Sequence, residues 1–270
     1  MKILVVGGTG FLGAELVRQA TTLGHVVAAT SFTRPGTPDA DWRTLDVRDR
    51  AAVRRLVDDV APDVVVNAAY RQSDWDITAV GAANVALATA SGIRLVQVSS
   101  DAVFSGAAVT YAEDAVPDPD SPYGAAKAAA EVVVQATNPT AVVARTSLII
   151  GDGGSPHEAL VHTLADGDRP GILFTDDVRC PVHVADLAAA LLELADSGRA
   201  GVHHLAGTDA LSRYELGLLI AARDGLDPAR LPSGTRADVG LPGRRDVRLD
   251  CALTRRHLKT RLRGAREFLS

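Results

Sequence analysis

Cysteine is nearly absent: the 270 residues hold two, Cys180 and Cys251, far apart in the chain. That excludes a disulfide framework and a cysteine-based metal cluster, and it fits a reducing compartment. Basic residues do not outnumber acidic ones; 28 against 33 gives a formal charge of −5. General attraction to nucleic acid or to an anionic membrane is therefore not expected. No run approaches the roughly 18 consecutive apolar residues of a membrane span. The apolar start at residues 3–6 is too short for an export signal. Internal repeats and low-complexity linkers are lacking too. The expectation is a cytoplasmic protein without a metal. Its apolar content of 47% suffices for one large domain or a large and a small one.

The chain begins with an apolar run, then Gly7-Gly8-Thr9-Gly10-Phe11-Leu12-Gly13, then a helical pattern. Strand, tight turn and helix in that order make an anion site, because free backbone N–H groups at a helix N-terminus attract phosphate. The glycines at 8, 10 and 13 match G-x-G-x-x-G, the dinucleotide fingerprint. Gly7, Thr9, Gly10, Phe11, Leu12 and Gly13 are the expected cradle. Leu16, Val17, Ala20 and Leu23 give the following helix an apolar face, and Gly24 ends it.

The second strand, residues 25–30, lacks a carboxylate at its end. An Asp or Glu there would hold the 2′-hydroxyl of NAD. Ser31 and Arg34 follow instead and can bind a 2′-phosphate, so NADP(H) is favoured over NAD(H). The competing reading makes Arg34 a solvated loop residue. A short third strand over 42–47 places Asp46 to accept from an adenine amino group, with Val47 beside it. Asp49 competes as the cap of a helix running to about Val60. The β-branched run at 62–67 is a central strand. Ala68 and Ala69 follow it, where backbone can line a cofactor. A helix from about 77 to 91 and a strand at 94–98 come next.

This β-α alternation implies a doubly wound parallel sheet of the Rossmann type, with ligands at the carboxyl ends of its strands. The rhythm breaks at Gly151. Residues 1–150 and 180–206 are assigned to the dinucleotide-binding domain. Residues 151–179 and 207–270 are assigned to a smaller α/β substrate-binding lobe from the C-terminal part.

Ser121 and Pro122 open a helix that carries Tyr123 and Lys127 four residues apart, on one face. A free phenol, with a pKa of ~10, shuttles protons poorly at neutral pH. An adjacent ammonium is expected to lower it. Ser100, at a strand end, can hydrogen-bond the same substrate oxygen. Together they make a site for hydride transfer to or from a carbonyl, in which Lys127 also holds the nicotinamide ribose. His203 and His204 are neighbours in a strand, where side chains point apart, so a metal pair is not expected. The basic tail from Arg244 can grip a substrate diphosphate or form a solvated face of mixed charge.

The glycine turn, Ser99-Ser100-Asp101-Ala102-Val103-Phe104, Tyr123 to Lys127 and Arg179-Cys180-Pro181-Val182-His183 resemble the extended short-chain dehydrogenase/reductase superfamily. Within it the chain is most similar to dTDP-4-dehydrorhamnose reductases, in which Ser/Thr-Asp-x-Val-Phe precedes Tyr-x-x-x-Lys. Residues 244–250 are similar to that group's Arg-Pro-x-x-x-x-Leu segment. The resemblance implies NADP(H)-dependent reduction of a nucleotide-activated 4-keto-6-deoxy sugar, with a small-molecule substrate and no nucleic-acid or membrane partner. A homodimer is left open. Ala102 stands where sugar-nucleotide dehydratases carry Glu, which argues against dehydration. Thr78 stands where the group often has Asn, and residues 154–158 replace its Asn-Phe pair. Three alternatives remain: an NAD-dependent epimerase, a reductase of another small carbonyl, and a binding subunit like the regulatory one of methionine adenosyltransferase.

Overall fold

The computed structural model describes residues 1–37 and 40–270. Seven strands form one parallel sheet: β1 (Lys2–Val6), β2 (Val26–Ser31), β3 (Asp41–Thr44), β4 (Val64–Asn67), β5 (Arg94–Ser100), β6 (Val142–Thr146) and β7 (Gly201–Leu205). Their order is β7-β6-β5-β4-β1-β2-β3. The chain winds outward from β1 to β3 and then returns to the other side through β4. That reversal opens a crevice at the carboxyl ends of β1 and β4.

Seven main helices accompany the strands: α1 (Phe11–Thr22), α2 (Arg50–Val60), α3 (Gly81–Thr89), α4 (Pro122–Thr137), α5 (Pro156–Asp166), α6 (Val184–Asp196) and α7 (Arg213–Asp224). Alternation along β1 decides which helix meets which face. Ile3 and Val5 pack with Leu16 of α1 and Leu187 and Leu191 of α6. Leu4 and Val6 pack with Val53 and Val57 of α2 and Val85 of α3. A separate core joins Val161 of α5 to Leu173, Leu216 and Ile220. Beside it, residues 177–179 form a small sheet with 211–212 and 245–246. Both faces of the main sheet are therefore covered, as its parallel strands require.

Local chemistry sets the boundaries. Asp49 caps α2 by accepting from the Ala52 N–H at 2.9 Å, and Ser121 caps α4 by accepting from Gly124 at 3.2 Å. Ser212 and Glu215 cap α7 reciprocally, at 3.1 and 2.8 Å. Three expectations need correction. Leu23 lies beyond α1 as its C-cap and is 63% exposed, because the helix ends one residue before it. β3 stops at Thr44, since the Asp46 carboxylate takes the Arg48 N–H at 3.0 Å and turns the chain. The helix expected from 77 to 91 starts as a π turn, Asp76–Val80, and α3 ends at Thr89. In that turn the Thr78 hydroxyl donates to the Arg71 carbonyl at 2.8 Å and accepts from the Arg71 N–H at 3.1 Å.

A buried ion pair fixes α4 on the sheet. Arg145 of β6 donates to both oxygens of Glu131 of α4, with Nη2–Oε2 at 2.8 Å, and each side chain is 3% exposed. Ser99 of β5 donates to the same carboxylate at 2.5 Å. Arg145 also lies 5.0 Å from the Phe104 ring centre. Removing one partner strands a buried charge, at a cost of about 3–5 kcal/mol. Glu131→Ala is expected to lose that much stability in urea unfolding; a loss below about 1 kcal/mol would contradict this role.

Candidate active site

The glycine turn is held from β2. The Gly7 N–H donates to the Thr30 hydroxyl and the Gly8 N–H to the Thr30 carbonyl, both at 2.9 Å. Gly7 has φ +85°, a conformation that favours glycine. A Cβ at Gly13 would sit 2.1 Å from the Gly7 carbonyl oxygen, so only glycine lets α1 approach. The start of α1 has no side-chain cap and no acidic residue in its first turn. A helix N-terminus left bare beside a turn without side chains suits a dinucleotide diphosphate. In the sequence Thr30 is one of the hydroxyls at the end of the second strand that could meet a 2′-phosphate; the structure uses its hydroxyl to anchor the glycine turn.

The loop after β4 lies against this turn. A Cβ on Gly7 would come 2.8 Å from Ala69. Asn67 holds the loop by accepting from the Ala69 N–H at 3.2 Å, and is itself held by Gln97 at 2.8 Å. Gly7, Ala68 and Ala69 are therefore together at the crevice. Phe11 leans the other way, with its ring 2.6 Å from where a Cβ on Gly151 would be. The glycines that break the β-α rhythm thus make room for Phe11. Leu12 is buried in the core beside α6.

The other proposed cofactor residues divide. Ser31 is half-buried at the end of β2. Arg34 is exposed and has no ion pair among the described residues. The Asp46 carboxylate is engaged by Arg48 at 2.7 Å, and that bond holds its pKa below the usual range. Arg48 in turn lies 5.8 Å from the Phe32 ring centre. The Val47 side chain is buried against α3, and its carbonyl accepts from Asn84 at 2.9 Å.

Ser100, Tyr123 and Lys127 converge. Ser100 ends β5; its hydroxyl donates to the Asp101 carboxylate at 3.3 Å and accepts from the Ala102 N–H at 3.2 Å, and it is near enough to Tyr123 to act on its pKa. Burial raises the Tyr123 pKa; Tyr70 and Asp101 push it the same way, and Ser100 opposes them. The expectation that the ammonium would lower this phenol is not met: burial is the largest effect and raises it, and Lys127 is not among the groups that shift it. Lys127 is 3% exposed, and its Nζ donates to the Val98 carbonyl at 3.1 Å. Nζ lies 6.0 Å from the Tyr123 ring centre and 5.1 Å from that of Tyr70. Burial pushes Lys127 down to about 8, against a smaller opposing effect of Glu131.

A charged chain leads away from this cluster. Asp101 accepts from Ser147 at 2.7 Å and lies 3.5 Å from Arg179. Arg179 pairs with Asp177 at 2.9 Å, and Asp177 with Arg213 at 3.4 Å. Arg213, His157, Leu160, Phe174 and Leu216 help line a cavity of about 260 Å³. Burial first, then Arg213, push the His157 pKa down to about 4, so its ring is neutral at pH 7. The cavity lies within residues 151–179 and 207–270, but sequence reasoning did not single out Arg213, Leu160, Phe174 or Leu216. The tail does not supply it: Arg244 and Arg248 pair with Asp246 at 2.5 and 2.8 Å. His203 and His204 bond Thr254 at 3.1 Å and the Asp250 carbonyl at 2.9 Å, each through Nδ1. Among the described residues no helix is long and apolar enough to cross a membrane.

The Lys127 shift has a sign in stability. Its folded pKa lies below the ordinary 10.5, so between pH of about 8 and 10.5 the unfolded chain binds more protons. The fold therefore gains stability from this group as pH rises through that window. Lys127→Met removes the gain. The stability advantage of the variant over wild type is expected to shrink from pH 7.5 to pH of about 10 in urea unfolding. A difference independent of pH would contradict the assignment.

Comparison with known proteins places this geometry. The RmlD substrate binding domain family matches residues 1–269. The dTDP-4-dehydrorhamnose reductase of Mycolicibacterium smegmatis is 33% identical over 250 residues, covering 87% of this chain and 73% of the relative. The methionine adenosyltransferase 2 subunit beta of Xenopus laevis is 29% identical over 272 residues, covering 93% and 80%. The crystal structure of a dTDP-4-dehydrorhamnose reductase from Clostridium acetobutylicum superposes with a TM-score of 0.85 at 26% identity, covering 100% of this chain and 97% of the other. The chain belongs to the RmlD substrate binding domain family, NAD(P)-dependent oxidoreductases of the extended short-chain dehydrogenase/reductase type.

Proposed function

We propose that this protein reduces a carbonyl of a nucleotide-activated 4-keto-6-deoxy sugar, using NADP(H). The observation that carries the reading is the convergence of Ser100, Tyr123 and Lys127 at the carboxyl end of β5. Reduction needs a hydride at carbon and a proton at oxygen. A reduced nicotinamide supplies the hydride when bound. Tyr123 gives its hydroxyl proton to the carbonyl oxygen: one O–H bond breaks and another forms. The phenol is protonated at neutral pH and so holds the proton it must give, although burial makes it a weaker acid than a free phenol. Ser100 donates a hydrogen bond to the same oxygen and orients it. Lys127 holds the nicotinamide ribose, while the turn from Gly7 to Gly13 and the bare start of α1 hold the diphosphate.

The cavity beside α5 and α7 supports a nucleotide sugar. Arg213 offers a cation for a substrate phosphate, and the neutral His157 and apolar Leu160 and Phe174 suit a base. Residues 151–179 and 207–270 then act as the substrate lobe. Ser31 and Arg34, which has no ion pair among the described residues, together with the lack of a carboxylate at the end of β2, favour NADP(H) over NAD(H).

The test is coenzyme oxidation with dTDP-4-dehydro-6-deoxy sugars, comparing NADPH with NADH and wild type with Tyr123→Phe. Turnover with NADPH is expected to exceed that with NADH and to fall about 100-fold or more in the variant. Turnover retained by the variant would overturn the proton donor. Tight NADPH binding without turnover would overturn the reductase reading in favour of a binding role.

A further inference from the structure

The Lys127 ammonium is short of partners. It has three N–H groups, one of which donates to the Val98 carbonyl. It has no ion pair among the described residues. Glu131, one turn further along α4, is already engaged by Arg145 and Ser99. What remains around the charge is aromatic: the Tyr70 ring centre at 5.1 Å and the Tyr123 ring centre at 6.0 Å. The two rings face one another at 5.9 Å with a 46° tilt. A cation in a water-poor site is stabilised by the negative face of such a ring, most when it lies within about 6 Å.

Tyr70 is also a fixed part of the site. The residue before it, Ala69, is tied to Asn67, and Asn67 is tied to Gln97 of the sheet. The residue after it, Arg71, has both its N–H and its carbonyl bound to the Thr78 hydroxyl. Thr78 belongs to the π turn, which packs on α4. Pinning a loop on both sides of one half-exposed tyrosine aims that ring.

We propose that Tyr70 is a positioning residue, which holds the Lys127 ammonium charged and in place through its ring face. The proposal rests on the assignment of Lys127 to the reaction site. Tyr70 acts on the reaction through Lys127, and its ring rather than its hydroxyl does so. The charged and titratable groups that face Lys127 are Tyr70, Tyr123 and Glu131, the last closed off by Arg145 of β6. Asp101 stands at the end of β5 near Tyr123, and the π turn contributes Asp76, which is exposed.

The sequence permits a direct test, because it has three lysines: Lys2, Lys127 and Lys259. Carbon-13 at the lysine ε position gives three NMR signals in the intact protein. The Lys127 signal is the one missing from Lys127→Met. In wild type it is expected to titrate at about 8. Tyr70→Leu removes the ring and is expected to lower that midpoint by about half to one pH unit. Tyr70→Phe keeps the ring and is expected to hold the wild-type midpoint. An unchanged midpoint in Tyr70→Leu would overturn the proposal, and so would an equal shift in Tyr70→Phe. An upward shift, the sign of water entering the site, would overturn it as well. The titration needs neither substrate nor turnover, so an absence of reductase activity leaves its result readable.

Discussion

The site depends on a carboxylate that water never reaches. Glu131 is buried, charged and shared between Arg145 of β6 and Ser99 of β5. Such a pair adds little net stability, since desolvation consumes most of its attraction. What it does is fix register. Glu131 stands four residues beyond Lys127 and eight beyond Tyr123, on the same face of α4. Ser99 immediately precedes Ser100. One carboxylate thus clamps the helix that carries Tyr123 and Lys127 to the strand that ends in Ser100, and a slip of α4 would strand the Arg145 guanidinium in an apolar core.

Similar ties hold the remaining parts at that end of the sheet. Thr30 anchors the glycine turn, and Asn67 presses Ala68 and Ala69 against it. Asp101, Arg179, Asp177 and Arg213 run from beside Ser100 to the cavity of α5 and α7. Glu113 accepts the backbone N–H groups of His204 and Thr254, each at 3.2 Å, and joins the C-terminal segment to β7. Ile3, Leu4 and their neighbours hold the helices against the sheet by burial, while the backbone ladder joins its strands.

Much of this was legible in the sequence, for physical reasons. The glycine turn is marked because close approach forbids side chains at Gly7 and Gly13. The parallel, helix-covered sheet follows from crossover spacing, and Asp49 and Ser121 announce their helices by capping chemistry. Ser100, Tyr123 and Lys127 could be found because strand ends and helix spacing place them. Tyr70 could not: an aromatic in a short loop has no period, and its meaning comes from Lys127, far along the chain. Most of the cavity's lining was hidden too, since the short strands around Asp177 are too brief for alternation to show. The direction of the Tyr123 shift was misjudged because burial, the largest effect, is a property of the folded molecule.

The central claim is that hydride passes to a sugar carbonyl at this site. Reaction with NADPH deuterated at C4 of the nicotinamide tests it most directly. The account predicts deuterium on the former carbonyl carbon of a dTDP-4-dehydro-6-deoxy sugar, delivered from one face of the ring. Product without deuterium from either C4 position, or no product while NADPH remains bound, would contradict it.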